Sequence, residues 1–109
     1  MEKDCLFCKI VNGDIPTEFL HKDENTVVFR DINPQAPVHL LIVPTKHIRS
    51  VNDLTDADKP ILSEMMMVAK EMAEKEGVSA SGYRVFINVE KGGGQLIFHL
   101  HMHLFGGWK

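Results

Sequence analysis

The chain has 109 residues, the size of one domain that can bury its own hydrophobic core. Its formal net charge of −3 provides no broad basic surface, which argues against a nucleic acid polymer or an anionic membrane as the main partner and leaves a small anionic ligand open. Because the first residues lack the apolar core of a signal peptide and no apolar run approaches membrane-spanning length, we expect a cytoplasmic protein with a single domain over residues 1 to 109.

A short helix is predicted over Cys5 to Val11, with Asp4 as its N-cap and Asn12-Gly13 as its end. Cys5 and Cys8, the only two cysteines, then lie in the first turn of that helix. In a reducing compartment a C-x-x-C pair more often binds a metal or performs redox chemistry than forms a structural disulfide. The spacing leaves both functions open, together with a pair of free thiols.

Three strands are predicted next. Glu18 to His21 and Thr26 to Asp31 form a hairpin, because a polar turn separates two stretches that favour strand. Val38 to Val43 is an apolar run ended by Pro44, which is typical of a central strand covered on both faces. His39 interrupts that run, and an imidazole at such a position requires a specific reason.

The segment from Thr55 to Glu76 predicts the one long helix, with two neighbouring apolar stripes at helical spacing. Its start has two interpretations. Thr55 and Asp58 resemble a capping box, whereas Asp58 as the cap would place Pro60 at a tolerated early position. Gly77 is the expected end of the helix.

The last part of the chain predicts strands over Tyr83 to Val89 and Ile97 to Phe105, separated by a flexible loop at Gly92 to Gly94. In the second strand three histidines alternate with three apolar residues: His99, His101 and His103 with Leu100, Met102 and Leu104. This alternation places the imidazoles on one face of the strand. Same-face neighbours are about 6.7 Å apart, so all three could hardly converge on one metal ion.

These elements predict an α+β domain with a five-stranded, mostly antiparallel sheet, one long helix and a short N-terminal helix. We expect the helices on one face of the sheet. Loops or a second copy of the chain would then cover the other face.

The run His99 to Phe105, with Gly94-Gln95 upstream, resembles the signature of the histidine triad (HIT) family. Further similarity to the Hint branch of that family covers most of the chain, at Asp31–His39, at Pro44 and His47, at Gly82–Arg84 and at Asn88. The resemblance implies the HIT fold and a homodimer. It also implies a nucleotide hydrolase that forms a covalent nucleotidyl-histidine, as in purine nucleoside phosphoramidases.

The resemblance implies that His101 is the nucleophile, oriented by a bond from its other ring nitrogen to a backbone carbonyl. A histidine is largely neutral at pH 7 and can attack phosphorus without prior loss of a proton. His39 and His103 are expected to donate to the phosphate oxygens or to the departing amine. Asn88 and Gln95 are the neutral donors expected around the leaving group, together with the backbone amides of the glycine loop.

A purine nucleotide is the expected ligand, such as AMP, GMP or a phosphoramidate derivative. By resemblance, apolar side chains wall the purine pocket: Leu6, Phe7, Ile10, Phe29, Ile32 and Leu41. Asp31 suits the ribose hydroxyls, because a carboxylate accepts from both. Gly94 completes the expected nucleotide site. The alternative for the apolar residues is plain core packing.

The resemblance also identifies a metal site, because some family members with a C-x-x-C near the N-terminus bind zinc. Cys5 and Cys8 with His47 and His99 would make a closed Cys2His2 tetrahedron, which is typical of structural zinc. We expect zinc and no organic cofactor. His21 is expected to be a solvated polar residue.

Two features depart from the Hint pattern. Leu96 stands where these phosphoramidases often carry a serine, and Lys109 ends the chain without the longer tail of related proteins. We therefore expect a changed leaving-group preference and lower turnover. Two other functions remain open: a hydrolase in which His39, His101 and His103 hold a zinc ion that activates water, and a nucleotide-binding module without catalysis.

Overall fold

One antiparallel sheet of five strands organises the fold in a computed structural model that describes residues 4 to 108; Lys109 lies outside them. The strands follow the order β1-β2-β3-β5-β4, and every neighbouring pair is antiparallel. Their bounds are His21–Lys22, Thr26–Arg30, Val38–Pro44, Tyr83–Phe86 and Met102–Gly106 for β1 to β5. Two helices accompany the sheet, α1 over Leu6–Asn12 and α2 over Lys59–Lys75. The predicted fold class is confirmed, with β3 as the central strand.

Helix α2 covers one face of the sheet and forms the larger core with it. Its buried stripe comprises Met65, Val68, Ala69, Met72 and Ala73. The stripe packs on side chains that point to this face from three strands: Val28, Leu40, Ile42, Met102 and Leu104. Among the described residues, no helix is both long enough and apolar enough to cross a bilayer.

Helix α1 covers the opposite face, so the expectation that both helices share one face was wrong. Phe7 and Ile10 of α1 pack on the other set of strand residues: Val27, Phe29, Leu41 and Val43. The reason is that β2 and β3 are apolar at consecutive positions. Each face of these strands therefore needs its own cover, and the N-terminal helix supplies the second one.

The two helix starts differ in detail from the prediction. The N-cap of α1 is Cys5 and not Asp4, because the Cys5 Sγ accepts a hydrogen bond from the Cys8 backbone N–H at 3.3 Å. Before α2, the Asp58 carboxylate accepts from the Thr55 backbone N–H at 2.9 Å and closes a 3-10 turn over Asp56–Asp58. The α-helix itself then begins at Lys59, so each of the two interpretations describes part of this start.

Four strands are shorter than predicted: β2 lacks one residue, because it ends at Arg30 rather than Asp31, and β1, β4 and β5 each lack two or more. Strand β5 begins at Met102 rather than Ile97, because the preceding segment bonds elsewhere: the Leu100 backbone N–H donates to the Ile48 carbonyl at 2.6 Å. Strand β4 ends at Phe86, β1 has two residues, and the glycine loop contains a 3-10 turn over Lys91–Gly93. The predicted alternation nevertheless holds, since Leu100, Met102 and Leu104 all enter the α2-side core.

We predict that Met65→Ala destabilises the protein by about 2 to 5 kcal/mol, because Met65 is fully buried on the sheet-facing side of α2 and its truncation leaves a cavity. Met67→Ala is the matched control, since Met67 is 59% exposed on the same helix, and we expect its cost to be under about 0.5 kcal/mol. Urea unfolding of both variants measures the difference. Equal costs for the two substitutions would contradict this packing of α2.

Candidate active site and metal centre

A cavity of about 300 Å³ opens on the α1 face of the sheet, where β3, β5 and β4 lie side by side. Five predicted polar side chains line it, and the predicted Gly94 lines it with its backbone: the side chains belong to Asp31, His39, Asn88, His101 and His103. The remaining lining residues are Phe7, Gln35, Leu41, Phe86, Leu96, Ile97 and Phe105. The cavity therefore combines apolar walls with a group of convergent polar side chains, as small-molecule sites do.

His101 is held in one tautomer by the backbone. Its Nδ1 lies 2.7 Å from the His99 carbonyl oxygen, so Nδ1 carries the hydrogen and Nε2 keeps the lone pair. Burial lowers the pKa of His101, although the bond to the His99 carbonyl acts in the opposite direction. The ring is thus neutral at pH 7 and presents an unprotonated nitrogen.

A chain of hydrogen bonds fixes the other two imidazoles. The Gln35 backbone N–H donates to His39 Nδ1 at 3.1 Å, so the neutral His39 ring carries its hydrogen on Nε2. That Nε2–H donates to His103 Nδ1 at 3.0 Å, with the Asp31 carboxylate 3.4 Å away as a second acceptor. His103 must then carry its own hydrogen on Nε2. The cavity therefore contains one imidazole with an acceptor Nε2, on His101, and one with a donor Nε2, on His103.

Burial keeps both of these rings neutral. It lowers the pKa of His103 to about 4, with further lowering by the neighbouring His101 and His39. It also lowers the pKa of His39, against the opposing effect of the Asp31 carboxylate. The neutral forms required by the hydrogen-bond chain are thus the stable ones at pH 7.

Two phenylalanines that the sequence analysis did not identify hold the imidazole planes. Phe86 stacks on His103 with ring centroids 4.7 Å apart and an interplanar angle of 12°. Phe105 meets the His39 ring edge-on at 4.3 Å. Phe86 faces His103 through the β4 to β5 register, a pairing of segments far apart in the chain that no local motif indicates.

Gln95 and Asn88 hold the loop beside the cavity. The Gln95 amide is buried and fully bonded to backbone: its Nε2 donates to the Arg49 and Ile97 carbonyls at 2.7 and 3.0 Å, and its Oε1 accepts from the Glu90 N–H at 2.7 Å. These bonds use both amide hydrogens of Gln95, which leaves no donor for a ligand. The Asn88 amide lies 3.5 Å from the Gly94 carbonyl at the cavity wall.

The structure separates the predicted purine-pocket residues into three groups. Phe7 and Leu41 line the cavity, while Ile10 and Phe29 are buried behind them in the same cluster. Leu6 is 41% exposed and lines a separate groove, and Ile32 is 91% exposed. The cavity that contains the histidines is thus walled by two of the six apolar residues.

Cys5, Cys8, His47 and His99 converge beside this cavity, with one ligand atom from each within 4.8 Å of the others. The Cys8 Sγ lies 3.3 Å from His47 Nδ1 and 3.6 Å from His99 Nδ1, and the two Nδ1 atoms are 3.2 Å apart. A tetrahedral zinc ion with two sulfur and two nitrogen ligands separates its ligand atoms by about 3.3 to 3.8 Å. The four side chains therefore fit a zinc ion.

A hydrogen bond beyond the ligand atoms supports the same conclusion. His99 Nε2 lies 2.8 Å from the Pro44 carbonyl oxygen and donates to it, so the lone pair of the neutral ring is on Nδ1. Nδ1 is the atom that faces the cysteine sulfurs, at 3.4 Å from Cys5 Sγ. A backbone acceptor on the distal nitrogen is the usual way in which proteins orient a metal-binding histidine.

Known proteins resemble this chain over almost its full length. The family described as scavenger mRNA decapping enzyme C-terminal binding matches residues 4–107. A purine nucleoside phosphoramidase of Escherichia coli strain K12 is 42% identical over 107 residues, which cover 98% of this chain and 90% of that protein. Protein HitA of Neisseria gonorrhoeae is 42% identical over 94% of this chain and 95% of its own length.

Solved structures show the same fold. A HIT family hydrolase from Legionella pneumophila is 50% identical and superposes with a TM-score of 0.95 over 97% of this chain and 95% of that one. A histidine triad protein from Clostridium difficile is 40% identical, with a TM-score of 0.96 over 100% of this chain and 95% of that one. The motif, the cavity and these similarities together show that the chain belongs to the histidine triad family.

Proposed function

We propose that the protein is a nucleotide hydrolase that cleaves a nucleoside 5′-phosphoramidate or a related nucleotide at the α-phosphate and releases a nucleoside monophosphate such as AMP. The observation that carries this proposal is His101, a buried neutral imidazole that lines the cavity with its Nδ1–H bonded to the His99 carbonyl. Its Nε2 is the nucleophile of the proposed reaction. The similarity to the E. coli purine nucleoside phosphoramidase supports the substrate class.

In the first step, His101 Nε2 attacks the α-phosphorus and forms a phosphorus–nitrogen bond, while the bond from phosphorus to the leaving amine breaks. The departing amine takes a proton from solvent, while His103 Nε2–H, the donor that the hydrogen-bond chain provides, donates a hydrogen bond either to that nitrogen or to a phosphoryl oxygen. Phosphoryl transfer depends mainly on such positioning and on donors that face the phosphate oxygens.

In the second step, water attacks the phosphorus of the nucleotidyl-histidine and releases one proton to solvent, which balances the proton that the amine took up in the first step. The phosphorus–nitrogen bond to His101 breaks, its electron pair returns to Nε2, and the nucleoside monophosphate leaves. The bond from Nδ1–H to the His99 carbonyl persists through both steps and stabilises the positive charge on the ring of the intermediate. His101 is thereby restored to the tautomer with which it began.

The nucleoside half of the substrate is assigned to the apolar side of the cavity. We propose that Phe7 and Leu41 contact the purine, with Ile10 and Phe29 packed behind them, and that Asp31 accepts from the ribose hydroxyls. Asn88 and Gly94 lie where the leaving group would pass. Leu96 lines the same cavity with 85% of its surface exposed, so this chain offers the leaving group an apolar contact.

We further propose that Cys5, Cys8, His47 and His99 bind a structural zinc ion. Zinc would supply four strong bonds that join the start of α1 to the segment after β3 and to the segment before β5. The proposal also includes a homodimer in the cytoplasm, for which the exposed apolar side chain of Trp108 offers surface.

A hydrolase with metal-activated water is the second candidate. The sequence analysis named His39, His101 and His103 as its ligands, whereas the group of described side chains that presents ligand atoms within 4.8 Å of one another comprises Asp31, His39 and His103. The Gln35 N–H on His39 Nδ1 weighs against it, since this bond keeps a hydrogen on the Nε2 that would have to bind the metal. The covalent adduct separates the candidates. Turnover without a nucleotidyl adduct favours the activated water, whereas an adduct on the native protein that His101→Ala abolishes favours His101.

We predict that the native protein forms an AMP adduct with adenosine 5′-phosphoramidate and that His101→Ala abolishes it. The substitution removes the nucleophile, so kcat/KM falls by roughly 10³-fold or more. Rapid quenching followed by intact-protein mass spectrometry detects the adduct. His21→Ala is the control, because His21 lies on β1 beside Asp23 and outside the cavity lining, and its adduct and turnover should equal those of the native protein.

Two results would contradict this function. Turnover without any adduct under burst conditions would exclude the covalent histidine. Nucleotide binding with no turnover at all would leave the protein as a binding module.

We predict that kcat/KM stays constant as the pH falls from 8 to below 6.5, the ordinary pKa of histidine. Burial lowers the pKa of His101 and lowers that of His103 to about 4, so both rings stay neutral at pH values where an exposed histidine is protonated. Because the pKa of His101 is lowered, its reactive neutral ring becomes protonated only at a pH below the ordinary pKa of histidine. A pH profile with zinc content measured in parallel tests this, and an acidic midpoint at or above 6.5 would contradict the buried, neutral nucleophile.

We predict about one zinc ion per chain in the purified protein and almost none in a Cys5→Ser/Cys8→Ser variant, because serine hydroxyls are poor zinc ligands. Elemental analysis measures the stoichiometry. Thr17→Ser is a control for substitution near α1, since Thr17 bonds to the Ile15 carbonyl away from the four ligand atoms. A full zinc load in the double variant would exclude this site.

A further inference from the structure

The metal centre and the nucleophile share one residue. The His99 ring points its Nδ1 at the cysteine sulfurs, at 3.4 Å from Cys5 and 3.6 Å from Cys8. The backbone carbonyl of the same residue accepts the Nδ1–H of His101 at 2.7 Å. If His99 moves when the metal is lost, its carbonyl oxygen moves with it. That oxygen is the acceptor that orients His101.

Phe7 provides a second connection between the two sites. It lies between the two cysteines in the chain and is 4% exposed. Its ring meets the His99 ring edge-on at 5.9 Å and the His101 ring edge-on at 5.0 Å, with interplanar angles of 72° and 89°. The same ring lines the cavity. The position of Phe7 thus affects both the orientation of His101 and the shape of the cavity.

The position of Phe7 depends on how α1 is held. This helix has seven residues, and a helix of that length has little stability of its own in water. It is held by apolar packing of Phe7 and Ile10 on the sheet and by the side chains of Cys5 and Cys8. Metal bonds to the two cysteines would fix the first turn, in which Phe7 lies.

We propose, on the basis of the hydrolase function proposed above, that the metal centre positions the nucleophile, with Phe7 and His99 as the positioning residues. With metal bound, the His99 carbonyl and the Phe7 ring hold His101 in one orientation and one tautomer. Without metal, the first turn of α1 loses two of its attachments and His101 loses its fixed orientation. Nucleotide cleavage by this chain therefore depends on a metal ion that does not touch the substrate.

The decisive variant is Phe7→Leu, which leaves all four metal ligands in place. We expect a full zinc load, a weakened or broadened His101 Nδ1–H signal in nitrogen-15 NMR of the imidazoles, and a kcat about 10- to 100-fold lower, the effect of a slightly misplaced reactive group. Phe19→Leu is the matched control, because Phe19 packs on Phe29 on the same face of the sheet and is neither among the residues that line the cavity nor among the four candidate metal ligands. Its zinc load, imidazole spectrum and kcat should equal those of the native protein.

The second measurement compares the native protein with and without zinc. We expect the zinc-free protein to lose the single His101 tautomer and to bind AMP at least about tenfold more weakly. If the protein unfolds without zinc, the zinc-loaded Phe7→Leu variant still decides the question. A native His101 spectrum in zinc-free, folded protein would overturn the proposal, as would a Phe7→Leu variant with a raised KM and an unchanged kcat. Neither the NMR nor the AMP measurement requires turnover, so failure of the hydrolase proposal is recognised separately, by an inactive native protein.

Discussion

Strand β3 is buried on both of its faces, and this burial requires a layer of structure on each side of the sheet. Leu40 and Ile42 point into the core beneath α2, whereas Leu41 and Val43 point into the core beneath α1. Helix α2 is long enough to cover its side of the sheet. Helix α1 has only two turns and covers part of the other side. The uncovered part is where His39 and His103 emerge, so the incomplete second layer creates the cavity.

The short helix also gives a reason for the candidate metal site next to the cavity. A two-turn helix contributes little burial, and a closed tetrahedral site would add strong bonds at its first turn. His99 connects the candidate metal site to His101 in the cavity. Its ring faces the cysteines, its Nε2 is anchored to the Pro44 carbonyl, and its own carbonyl fixes His101. Three contacts of one residue connect helix α1, the sheet and the proposed nucleophile, His101.

Backbone hydrogen-bond donors and acceptors fix the tautomers of the three imidazoles in the cavity. The Gln35 N–H sets the tautomer of His39, which sets that of His103, while the His99 carbonyl sets that of His101. Because burial favours the neutral rings, each imidazole has one defined donor and one defined acceptor nitrogen. The proposed nucleophile His101 and the proposed hydrogen-bond donor His103 thus differ although they are the same kind of side chain.

The sequence by itself determined the features that local periodicity encodes: the long helix, the central strand with its histidine, and the side of the last strand to which its apolar residues point. With the family resemblance it also indicated the four metal ligands, which the fold brings together. Only the tertiary structure decided which face of the sheet α1 covers and where β5 begins. It also decided that Phe86 stacks on His103 and that the Gln95 amide forms its hydrogen bonds with backbone groups. The physical reason is that these features depend on strand register and on bonds between residues distant in the chain, which no local pattern of apolar and polar residues specifies.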